Sequence, residues 1–422
     1  MSYDIIIIGA GIAGLYTGIE LLRSQPLLRC MILEKYNYNG GRVFTYHKSL
    51  PGIGRIQWES GAGRIASSHH IVRNLMKRYG LTYLPISGES QYLPESTLKP
   101  QKNPFNALHD VYLEPLRFLP KEVLQTHTLG SLMTQIHGSS ETATFLSQFP
   151  YSSEVHTLRA DLGLHSFDHE MGQTSGFGVC KEGLSTLTDR MADDFKKRGG
   201  TIQYDSEVEC ISYDRKVHNI CVKNGPTYTS RLCIMALHSE AMKHIQGVRH
   251  LPVLKKLEMT PLLRMYAVFP ISKGKAWFHG LDKIVNDGPI RYIIPINERS
   301  IMISYTDGDD TLFWTKKNPV HVPDLVMKRI RALFPDIIIP DPLFFKMHHW
   351  KQGCTYWKPG KYSVEAESEG SLHPLPKEMP GLFVCGESFS LQQCWMEGAV
   401  QQAERMMHHT AFQRVLKSIL TL

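Results

Sequence analysis

Long apolar runs are missing from this chain of 422 residues. No stretch approaches the roughly 20 consecutive apolar residues that span a bilayer, which excludes anchoring by a transmembrane helix. The first residues, Met1-Ser2-Tyr3-Asp4 followed by Ile5 to Ile8, lack the basic flank and small-residue cleavage site of a secretory signal, so the protein is expected to begin at Met1. Cysteine is scarce, at 8 residues, too few for a disulfide framework. Cys210, Cys221 and Cys233 fall at apolar positions of strand-like segments, where free thiols pack as small hydrophobes; that pattern suits a reducing, cytoplasmic setting. There is no CxxC and no GxSxG, and the histidine pairs His348-His349 and His408-His409 are adjacent instead of one helical turn apart, so no metal is expected. A large excess of one charge sign is also lacking: the net formal charge is +7. The basic clusters Lys196-Lys197-Arg198 and Arg249 to Lys256 carry no interleaved aromatics and read as solvated faces, not as a nucleic-acid surface. A modest attraction for anionic substrates is all that the charge implies.

What is present describes an ordinary globular protein, 42% hydrophobic and 21% charged, long enough for two domains. The β-branched run at 4–8, the glycine-rich turn Gly9 to Gly14, the amphipathic stretch Ala13 to Arg23 and the strand-like Arg29 to Glu34 make a βαβ unit. Residues 66 to 170 are mostly helical in pattern, with His69 to Tyr79 the clearest helix. A helix over Gly183 to Lys197 and strands near 201–204, 207–213, 217–223 and 232–236 return to the first unit. Strands at 262–269, 290–296 and 300–305 with a helix over Val322 to Leu333 suit a second domain, and a strand at Gly381 to Cys385 followed by a helix from Trp395 to His408 closes the chain. The expected class is α/β: a Rossmann-like, doubly wound parallel sheet built from 1–65, 172–240 and 345–422, interleaved with an α+β substrate domain from 66–171 and 241–344.

Gly9-Ala10-Gly11-Ile12-Ala13-Gly14 is a GxGxxG placed directly after a strand and opening a helix. The first glycine makes the turn, the second lets a pyrophosphate approach the backbone, and the third permits close helix packing, while the helix N-terminus faces the negative charge. Glu34, at the end of the second strand, is placed to accept hydrogen bonds from an adenosine ribose. Gly40-Gly41-Arg42-Val43 then supplies two glycines and a guanidinium for phosphate. From this point the chain resembles the flavin-containing amine oxidoreductases, which include monoamine, polyamine and L-amino-acid oxidases. Three later segments resemble the same family: Lys181 to Leu187 leading to Glu207-Val208, Gly381 to Glu387, and Trp395-Met396-Glu397-Gly398-Ala399.

The resemblance implies FAD, held by Gly9, Gly11, Ala13, Gly14, Glu34, Lys35, Gly41, Arg42, the run Gly61-Ala62-Gly63-Arg64, Val208, Gly386, Glu387, Trp395 and Met396. A helix start at Met396 beneath the flavin suits the negative charge of the reduced ring. Trp395 and Tyr356 are expected as aromatic walls before the flavin face, with a packed helix-start ring as the plainer role for Trp395. Trp58 to Ile65 resembles L-amino-acid oxidases in particular, which makes Arg64 the fork for a substrate carboxylate; pairing with a flavin phosphate or a surface acid is its other reading. The family's tyrosine partner for that carboxylate aligns with Ile293 or Ile294. The family's catalytic lysine aligns with Arg264, which cannot accept a proton and could equally be a packed structural residue. Cys354 lies in a Gly-Cys context like the one where monoamine oxidases attach FAD; a noncovalent flavin is expected here. These implications give an oxidase of a C–N bond, of an L-amino acid first, with oxygen as acceptor. A monoamine or polyamine oxidase is the alternative within the class, and a flavin-binding interaction protein with little turnover the alternative outside it. A homodimer stays open.

Overall fold

The computed structural model describes residues 2–169 and 176–421; Met1 and the domain boundary placed at 171/172 lie outside them. The first sheet is built around Ser2–Ile8, whose parallel neighbours are Cys30–Leu33 and Thr227–Met235. Thr201–Gln203 extends it on one side and Leu382–Val384 pairs in parallel with Thr227–Met235. Val217–Val222 and Val208–Asp214 complete it as an antiparallel edge. Strands buried on both faces need continuous apolar runs, and Ile5 to Ile8 supply one, each residue at most 3% exposed.

One face is covered by the helices Ile12–Ser24, Leu184–Lys197 and Met396–His408, which share a single apolar core. Close approach explains a glycine there: a Cβ on Gly18 would meet the Phe195 ring at 2.7 Å. The other face packs a second core that reaches Tyr356 and Trp357.

The second sheet runs in the order 344–357, 257–268, 300–307, 292–295, 284–286, 91–93, 101–102. The long strand Phe344–Trp357, assigned from sequence to the nucleotide-binding part, is therefore hydrogen-bonded into this sheet along Leu257–Val268. Helix Val322–Leu333 covers one face. The opposite face presents Tyr266, Tyr292 and Tyr305, packed with Trp58 from the hairpin Thr45–Leu50 and Gly54–Glu59. Helices between 105 and 169 form a separate core of their own. The active region lies where these layers meet.

One cysteine expectation is overturned. Cys210 and Cys221 sit opposite each other on adjacent antiparallel strands, Cα atoms 5.1 Å apart, and are joined as a disulfide; strand register, which placed them together, was not readable in the sequence. Cys233 is a buried free thiol as expected. No helix among the described residues is long and apolar enough to cross a membrane.

Candidate active site

The glycine turn has the geometry its spacing requires. Gly9 has φ +106° and a Cβ there would meet the Ala236 carbonyl oxygen at 2.6 Å, while a Cβ on Gly14 would lie 2.0 Å from the Gly9 carbonyl oxygen. Gly11 differs from both: nothing lies within 4 Å of its would-be Cβ. It is also the N-cap of helix Ile12–Ser24 and no side chain caps that end, so the first amides of the helix open onto the space beside Gly11. Gly40 and Gly41 close the cradle from the other side. The Gly40 amide donates to the Ala10 carbonyl at 2.8 Å, and both residues have positive φ.

At one end of this cradle is Glu34, 6% exposed, its carboxylate accepting from the amides of Ala10 at 2.7 Å and Tyr36 at 3.0 Å. Burial raises its pKa against those bonds. Ser206 donates its amide to the Glu34 carbonyl, which brings Val208 alongside. Lys35 instead pairs with Glu207 at 2.7 Å on the surface. At the other end Arg42 donates to Glu387 at 2.7 Å and to the Gly353 carbonyl at 3.0 Å. The Glu387 carboxylate also accepts from the amides of Thr355 and Cys394. Those bonds join the glycine segment, the long strand and the C-terminal segment at one buried carboxylate.

A clamp delivers Arg64. The backbone carbonyls of Glu59, Ser60 and Gly61 are all held by side chains of the second sheet: Tyr266 and Arg264 donate to Glu59 at 2.6 and 3.1 Å, Trp350 to Ser60 at 2.7 Å, and Arg264 again to Gly61. Ala62 donates its amide to the Arg42 carbonyl at 2.9 Å. Arg264 thus grips the backbone that leads through Gly63 to Arg64, an orientation that sequence reading had not distinguished from a catalytic one.

The Arg64 guanidinium lies over three rings, Phe177 at 5.0 Å, Tyr151 at 5.1 Å and Trp395 at 5.8 Å. Among the described residues it has no ion pair, although Glu154 lies within electrostatic reach. Trp395 is the N-cap residue of helix Met396–His408. The ring parallel to it belongs to Phe177, with centroids 6.0 Å apart, and His69 meets its edge at 4.9 Å. Tyr356, 2% exposed, lines the same cavity as Trp395, together with Glu154, His165, Gln393 and Cys394. The Tyr356 hydroxyl faces the Glu154 carboxyl, whose Oε2 has no hydrogen-bond partner among the described residues. Burial and the neighbouring Asp307 hold the Glu154 carboxyl well above the usual carboxylate range.

The sequence profile of the flavin containing amine oxidoreductase family matches residues 12–406. The chain belongs to that family. Among solved structures that match are two from a redesign of cofactor binding in putrescine oxidase, a double and a single mutant. They are 13% and 14% identical, cover 100% and 99% of both chains, and superpose with a TM-score of 0.75. That likeness establishes the fold. No curated protein matches the sequence.

FAD is the cofactor of this amine oxidoreductase, and the cradle fits it. The open space at Gly11 is one that a side chain would fill, the helix start beside it has no side-chain cap, and acid and base at the two ends of the cradle match ribose and phosphate. Sequence reasoning missed Tyr151, Glu154, Phe177 and Tyr292. Tyr292, next to Ile293, neighbours Arg64 electrostatically. None of the four sits in a motif; Tyr151 and Glu154 come from the helical insertion, Tyr292 from the second sheet and Phe177 from a strand paired with Ile65–Ala66 and Tyr83–Ile86.

Proposed function

We propose that this amine oxidoreductase oxidises the Cα–N bond of an L-amino acid to an imine, which hydrolyses to keto acid and ammonia, with oxygen as acceptor and hydrogen peroxide as product. The observation that carries the reading is Arg64, a guanidinium over three rings with no ion pair among the described residues, near a Glu154 carboxyl whose Oε2 has no hydrogen-bond partner among them. An uncompensated buried charge is costly, and a zwitterionic substrate supplies both counterparts. Arg64 forks onto the carboxylate. Glu154 takes a proton from the ammonium, so that the amine reaches the oxidation step neutral. The rings of Trp395, Phe177 and Tyr356 orient the substrate and exclude water. Arg264 is a positioning residue acting through the Gly61 to Arg64 backbone. FAD, when bound, supplies the two-electron acceptor.

A diamine or polyamine is the second reading, favoured by the free Glu154 oxygen and by the likeness to putrescine oxidase; it leaves Arg64 without a counter-ion.

The test follows peroxide release from an L-amino acid as a function of pH. Because the Glu154 carboxyl is raised, its ionised form is gained only as pH climbs above the ordinary carboxylate range, and kcat/KM is expected to climb with it. Glu154→Gln removes the acceptor and should lower kcat/KM by roughly 100-fold or more, leaving only the limb set by the substrate's own ammonium. A variant that keeps both the rate and the original pH profile would rule out Glu154 as the proton acceptor.

A further inference from the structure

Two cysteines meet at the flavin cradle. Cys354 follows Gly353, whose carbonyl accepts from Arg42, and Cys394 gives its amide to Glu387 at 2.7 Å. Both cysteines pack on one hydrophobic core, and the Cys394 thiol reaches the carbonyl of Thr355, the residue next to Cys354, at 3.5 Å. Cys394 is held at φ +69°, in the left-handed region that glycine adopts freely and a side chain resists. It is thus an unusual residue for that turn, immediately before Trp395 and the helix start at Met396.

We propose that Cys354 and Cys394 form a redox-active dithiol in electronic contact with the bound flavin. Their S–H bonds break and one S–S bond forms. The dithiol gives up two electrons and two protons; bound FAD would supply the two-electron acceptor, and oxygen would take up the two electrons and two protons as hydrogen peroxide. Burial pushes the Cys394 thiol up, which keeps it protonated until the S–S bond forms. The site gives the protein a thiol-oxidising half-reaction beside its amine chemistry. It requires bound FAD and is independent of which amine is the substrate.

The test uses the FAD-loaded full chain, reduced with a thiol reductant, freed of it and kept anaerobic. Flavin absorbance is expected to bleach without any amine, and peptide mapping should then find Cys354 linked to Cys394, distinct from the Cys210–Cys221 bridge. Air should restore the colour. Cys394→Gly, which suits the backbone angle, and Cys354→Ala should each bind FAD and lose the amine-independent bleaching. The proposal fails if both thiols remain fully alkylatable after aerobic incubation, if bleaching survives in Cys394→Gly, or if the flavin stays attached to Cys354 after denaturation.

Discussion

Arg64→Ala is expected to lower kcat/KM for an L-amino acid by roughly 30-fold to several thousand-fold, while its decarboxylated amine changes by only a few-fold. The range corresponds to about 2–5 kcal/mol for truncating one side of a desolvated charged contact. The asymmetry is the informative part. Arginine stays ionised even when buried, and the rings of Phe177, Tyr151 and Trp395 orient it by cation–π contacts but do not neutralise it. A substrate carboxylate therefore gains a full charge-assisted fork that an amine never makes. Flavin absorbance recorded on the same samples separates the two roles considered for Arg64. Equal losses on acid and amine, or loss of FAD, would move this residue to the cofactor or to the fold.

The second large effect concerns Gly11. With φ −70° and nothing within 4 Å of its would-be Cβ, the position tolerates a side chain in the protein alone, so Gly11→Val should fold with an unchanged far-ultraviolet spectrum. The added side chain fills the space where the pyrophosphate meets the helix amides. Each charge-assisted hydrogen bond lost there is worth about 1.5–3 kcal/mol, so FAD affinity should fall by roughly 100-fold or more and the protein should purify colourless. Gly14→Ala is the contrasting case. Its Cβ would lie 2.0 Å from the Gly9 carbonyl oxygen, and soluble folded protein should be lost along with the flavin. Gly11→Val that retains stoichiometric FAD would place the pyrophosphate elsewhere.

The cofactor half of the site was readable because its residues sit in short local motifs and each answers a local demand. Gly9 and Gly14 follow from sterics, Glu34 from the end of a strand, and Met396 from a helix start. Of the substrate half, Arg64, Trp395 and Tyr356 were named from the sequence, but their surroundings were not legible, for the opposite reason. Tyr151, Glu154 and Tyr292 meet Arg64 and Trp395 from four distant segments, and that convergence depends on how the helical insertion packs against the second sheet. Strand Phe344–Trp357 escaped notice because Lys346, His348, His349, Lys351 and Gln352 break its apolar pattern, which an edge strand of the sheet permits. The role of Arg264 could not be read either, since its hydrogen bonds go to backbone carbonyls some 200 residues earlier.

The central claim is that the chamber was built for a molecule carrying both a carboxylate and an amine. Anaerobic mixing of the FAD-loaded protein with matched pairs, each an L-amino acid and its decarboxylated amine, tests it most directly by following flavin bleaching in a stopped-flow instrument, with diamines as a third arm. The account predicts rapid, saturable bleaching by at least one L-amino acid, at concentrations where the paired amine and the diamines bleach slowly or not at all. Bleaching by amines or diamines alone, or by dithionite and no organic substrate, would contradict it.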